Sequence, residues 1–187
     1  METKTVWVRH VAASLLALVI LAGLTAGVAQ AALSPRQLYR GLLKAAPASS
    51  LPPALRGTKT RSAKLSAGAR SQHAVGAVEV GNADALVGFL VFPSRARALA
   101  DLKAFPPDTG PNKILTTELP GLPRPAYLIH AAGNGFEVAY VVFVVDNVVV
   151  NAWAYGAKGS LKTLIAIVER DARWAKNRTL SVVRSSS

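Results

Sequence analysis

Beyond its first thirty residues the chain holds two histidines, His73 and His130, and no cysteine anywhere. Without cysteine there is no thiol chemistry, no disulfide and no Cys-ligated metal site. Neither histidine has a companion at metal-ligand spacing, so each reads as a core or edge residue of a strand rather than a ligand. A Ser-His-Asp set could be composed from His130, Asp146 and any serine, but no nucleophile-elbow motif supports it. A hydrolase would need a cleft joining His73 or His130 to an acid. The acids after residue 73 are thinly spread, and no pair reads as a glycosidase dyad. Gly133-Asn134-Gly135 is a turn and not a phosphate loop, because no helix follows it. Asn177-Arg178-Thr179 matches a glycosylation acceptor, which matters only in a host that glycosylates. These residues predict a non-catalytic protein without metal or cofactor.

Side chains suited to binding are concentrated in two β-prone runs, Phe136 to Val145 and Val148 to Tyr155, joined by Asp146-Asn147. Two polar residues that tolerate positive φ between such runs predict a hairpin. If Val145 pairs with Val148, the register is fixed and every second residue shares a face. Ala139, Val141, Phe143 and Val145 then lie with Val148, Val150, Ala152 and Ala154. This small, aliphatic face suits close approach by a helix. The other face carries Phe136, Val138, Tyr140, Val142 and Val144 with Val149, Asn151, Trp153 and Tyr155. Tyr140 falls opposite Trp153, and Val142 opposite Asn151. A sheet with a water-facing side would show polar alternation, so something must cover the aromatic face too. Tyr and Trp bring polar tips that suit a cavity wall or an interface. Phe136, Tyr140, Asn151, Trp153 and Tyr155 are therefore the candidate ligand-binding residues. An ordinary core and a dimer interface are the other readings of the same face.

A second candidate surface is electrostatic. Residues 32–72 contain Arg36, Arg40, Lys44, Arg56, Lys59, Arg61, Lys64 and Arg70 and no Asp or Glu. Arg56, Lys59, Arg61, Lys64 and Arg70 are the expected contacts with an anionic surface; a solvated segment without a partner is the other reading. A basic chain raises the question of nucleic acid, but an exported one meets anionic envelope polymers or lipid headgroups instead.

Export is the expectation from the N-terminus. Lys4 and Arg9 precede an uncharged apolar stretch, Val11 to Val28, which ends in Ala29-Gln30-Ala31. That is the order of a secretory signal peptide with cleavage after Ala31. The stretch is longer than the usual h-region of about 7–15 residues and shorter than a span of about 20, so an uncleaved membrane anchor is the competing reading. Either places the rest of the chain in the periplasm or outside the cell.

The elements that must position these residues follow from punctuation and period. Ser34 and Pro35 start a short helix that Pro47, Pro52 and Pro53 end. Residues 58–71 form either an edge strand or a flexible approach. Ala74 to Val80 and Ala85 to Phe92 read as strands around a Gly81-Asn82 turn. Ser94 caps a helix over Arg95 to Phe105, with Leu99 and Leu102 as core contacts. Pro106, Pro107, Gly110 and Pro111 mark a loop, and Ile114 to Leu119 and Ala126 to Ala131 are further strands. From Ser160 to Lys176, Leu161, Leu164, Ile165, Val168, Ala172 and Ala175 form one apolar stripe, with Glu169 and Arg173 paired outside it. The expected domains are a signal or anchor (1–31), a basic helix with connector (32–72), a globular α+β body (73–176) and a polar tail (177–187). Strands in succession with two helices predict an α+β fold with a mostly antiparallel sheet of about five to seven strands. In that order of elements, though in no sequence motif, the outline resembles small exported α+β domains such as the PsbP-like group.

The expected function is an exported cell-envelope domain that binds a small apolar ligand or lipid on the aromatic face. Its basic segment would favour anionic surfaces. A protein-interaction module or homodimer using the same face is the rival, and a hydrolase the third reading.

Overall fold

The computed structural model describes residues 32–45, 51–55, 61–63, 73–81, 84–104 and 112–186, with the side chains of 43–45 and 61–63 left out. The signal or anchor at 1–31, the loop prolines 106, 107 and 111, and Arg56, Lys59, Lys64, Arg70 and the Arg61 side chain lie outside that description.

Residues 32–187 form a compact unit of their own. The described elements are α1 (Pro35–Ala45), a 3-10 turn (Pro53–Leu55), β1 (Arg61–Ala63), β2 (Gly76–Gly81), β3 (Ala85–Val91), α2 (Arg95–Ala104), β4 (Asn112–Thr116), β5 (Ala126–Ala132), β6 (Phe136–Val145), β7 (Val148–Ala157) and α3 (Leu161–Ser186). Among the described residues the sheet has seven strands in the order β1-β2-β3-β7-β6-β5-β4. Every neighbouring pair is antiparallel. The fold is α+β, as composition and punctuation predict.

The central hairpin has the expected register: Val145 pairs with Val148, Tyr140 with Trp153 and Val142 with Asn151. Asp146 makes the turn at φ 52°, a left-handed conformation that Asp tolerates better than most residues. The two faces therefore separate as period two requires. Val141, Phe143, Val150 and Ala152 pack with Leu164, Val168, Ala172 and Ala175 of α3 and with Leu38 and Leu42 of α1 in the main core. Small side chains on the strands let the helices lie close. Val142, Val144 and Val149 meet Phe92, Ala98 and Leu102 of α2 and its approach in a smaller core on the opposite side.

Two expectations about the ends are corrected. The helix at residues 35–45 is no separate basic appendage: Leu33, Leu38 and Leu42 are buried in the main core. It opens with a capping box, in which Ser34 Oγ accepts from the Gln37 N–H at 3.2 Å and Gln37 Oε1 accepts from the Ser34 N–H at 2.9 Å. The expected tail from residue 177 is instead the continuation of α3 to Ser186. Thr179 and Val182 prolong the buried stripe, and Thr179 donates its hydroxyl to the Ala175 carbonyl at 2.9 Å. This stretch packs against α1. A Cβ added to Gly41 would overlap the Val182 side chain, so only glycine permits the crossing.

Candidate functional site

The aromatic face is assembled by three adjacent strands. β6 contributes Phe136, Val138 and Tyr140, β7 contributes Asn151, Trp153 and Tyr155, and β3 pairs Gly88 with Asn151 and Leu86 with Trp153. Sequence reasoning places these residues together, and the structure does bring them onto one side of the sheet. Phe136 and Tyr155 stack with ring centroids 5.4 Å apart and planes tilted by 33°, within the range of favourable aromatic pairs. Phe136, Tyr140, Asn151 and Trp153 are half-buried, while Tyr155 is 45% exposed.

The cover is uneven. α2 packs over the end of this face that holds Val142, Val144 and Val149, and Tyr140 borders that small core. Trp153, Tyr155 and Phe136 belong to neither buried cluster. The structure also places a polar atom here. Among the described residues, Asn151 Oδ1 is buried and has no hydrogen-bond partner, an arrangement that costs roughly 1–3 kcal/mol when nothing satisfies it. Beside it, a Cβ added to Gly88 would meet only the Asn151 carbonyl oxygen, at 3.9 Å. Gly88 thus leaves space beside the Asn151 backbone, on the neighbouring strand.

The histidines do not make a catalytic set. His73 is exposed at the entry to β2. His130 sits on the α3 side of β5, opposite Ala139. Its Nε2 lies 3.7 Å from Glu137 Oε1 and has no hydrogen-bond partner, so no serine hydroxyl reaches it. Glu137 Oε2 accepts from the Gly159 N–H at 3.1 Å, while Ser160 donates its hydroxyl to the Ala157 carbonyl. The cluster braces the turn that leads from β7 into α3. Asp146, expected in the paper triad, serves the hairpin turn. Among the described residues no group of three His, Cys, Asp or Glu could hold a metal ion, and no helix is long and apolar enough to cross a membrane.

Besides Thr179, two buried polar residues escaped sequence reasoning. Asn147, read as a turn former, is 1% exposed. Its Oδ1 accepts from the Leu33 N–H at 3.0 Å, and its Nδ2 donates to the Leu33 carbonyl at 2.9 Å and the Phe92 carbonyl at 2.6 Å. Asp171 lies within the buried stripe of α3. Burial holds its carboxyl above the ordinary 3.8, while Arg170, 3.3 Å away, draws it down by charge and hydrogen bond. Its position four residues before Ala175 was the available signal.

No protein-family model, curated protein or solved structure matches this chain.

Proposed function

We propose that this is an exported, non-catalytic domain that takes a small apolar ligand on the aromatic sheet face, at or near the cell envelope. The observation that carries the reading is Asn151 Oδ1, a buried acceptor without a donor among half-buried aromatic rings. Apolar walls with a few placed polar groups are what small-molecule sites use. The ligand is thus apolar in bulk and carries one N–H or O–H donor for Asn151. Trp153 and Phe136 supply its contact area.

The neutral dye N-phenylnaphthylamine, apolar with a single N–H, is a suitable probe. Its fluorescence should rise on mixing with the protein. The rise should shrink in Trp153→Ala and in Asn151→Leu, with both variants still folded by circular dichroism. No rise, or a rise that both variants retain, would end the proposal.

A homodimer using the same face is the second reading, supported by the exposure of Tyr155 beside Phe136. A mass of two chains in solution, reverting to one in Tyr155→Glu, would favour it over the ligand site.

A further inference from the structure

The helix layer has a charge pattern of its own. Arg36 and Arg40 of α1 and Lys162, Arg170, Arg173 and Arg184 of α3 are exposed. Neither helix has an exposed carboxylate among the described residues. Asp171 is buried, and Glu169 is half-buried and engaged by Arg173 at 3.2 Å. Among the described residues the exposed carboxylates, Glu79, Asp84 and Glu118, belong to the strands and their connections. The Gly41–Val182 crossing joins the two helices into one layer, with Arg40 and Arg184 within a turn of the contact on their respective helices.

We infer that this layer docks on an anionic phospholipid bilayer, with Arg36 and Arg40 as its leading contacts. This goes beyond the ligand site, which lies on the other side of the sheet, and it takes the lipid surface from the export reading. Two arguments select the bilayer. The first is charge complementarity over a broad helical surface: each Lys or Arg at an anionic membrane contributes about a fivefold factor in partitioning. The second is covalent reach. Four residues, 29–32, separate the apolar stretch ending at Val28 from Leu33, which Asn147 holds just before α1. Where that stretch is kept as an anchor instead of being cleaved after Ala31, the five chain steps to Leu33 can span at most about 17 Å at roughly 3.5 Å per step.

Residues 32–187, compact by themselves, suit co-sedimentation with phosphatidylglycerol-containing vesicles, with pure phosphatidylcholine vesicles as reference. Binding should require phosphatidylglycerol and fall at high salt. Arg36→Glu with Arg40→Glu should weaken it about twentyfold or more, and Arg36→Lys with Arg40→Lys should keep it. Arg95→Glu with Arg97→Glu is the control: the same charge change, on α2 across the sheet. It should cost less than about threefold, as only long-range screening is affected. Equal losses in both pairs would reduce the effect to net charge and overturn the docking face. Undiminished binding in both would move it to the cations of residues 56–70 and overturn it equally. Tighter binding to duplex nucleic acid than to vesicles, lost through Arg36 and Arg40, would replace the partner. Fractionation of cells making the full chain tests export separately. A chain that stays in the cytoplasm yet binds vesicles through Arg36 and Arg40 defeats the export reading and leaves the docking face standing.

Discussion

Asn147 uses both ends of its amide to hold three backbone groups belonging to two distant segments. Its backbone carbonyl also accepts from the Phe92 N–H at 2.9 Å. Replacing it removes three buried hydrogen bonds and leaves an N–H and two carbonyls facing each other without partners. Asn147→Ala should therefore destabilise by about 2–4 kcal/mol, read by urea denaturation; a loss below about half a kcal/mol would mean water replaces the amide. Asp171 makes an opposite case, since its burial opposes ionisation. The folded state holds the Asp171 proton more tightly than the unfolded state does. Between the ordinary 3.8 and the raised folded value the native protein binds more protons, so this residue's contribution to stability falls as pH rises through that window. Asp171→Asn removes the slope. The stability of wild type relative to Asp171→Asn should improve on acidification, and a flat difference between their pH profiles would show that Arg170 cancels the burial cost.

Among elements, the central hairpin decides which side chains are structural and which are available. Phe143 points into the α3 core and is 0% exposed, whereas Trp153 on the other side is half-buried. Phe143→Ala should cost about 3–5 kcal/mol, as for other buried large-to-small changes. Trp153→Ala should cost clearly less despite removing the larger ring. Chemical denaturation of the two variants compares them directly, and equal losses would mark the aromatic face as ordinary core. The asymmetry comes from helix length and placement. α3 lays Leu164, Val168, Ala172 and Ala175 of its stripe over the small face of β6 and β7, while α2 meets only the Val142–Val144 end of the other face.

For the molecule as a whole, what could be read in advance was local. The Asp146-Asn147 turn lies between runs that have no other use than strands, so register and both faces followed from period two. Ser34 and Ser94 announced their helices, and both accept at their caps. The Glu169–Arg173 pair formed as i, i+4 spacing predicts. What escaped was non-local. The partner of Asn147 is 114 residues away, and no window of sequence contains both. Residues 177–186 are polar and basic on average, which hid Thr179 and Val182 as the last steps of the α3 stripe. The candidate face was legible as a set of residues. Its orphan acceptor was not, because satisfaction depends on what lies above Asn151.

The strand order carries a kinetic consequence. β4 to β7 form one meander and β2 with β3 another, each built from sequence neighbours, and only the β3–β7 seam joins them. Closing that seam spends the loop entropy of the intervening chain before any contact repays it. The β6–β7 hairpin should thus form in the transition state, and the seam afterwards. Val87→Ala on β3 should mainly speed unfolding, while Val141→Ala on β6 should slow folding. Until the seam closes, β7 offers a bare edge to any β3 in solution, so refolding at high concentration should yield domain-swapped dimers that exchange the β2–β3 hairpin.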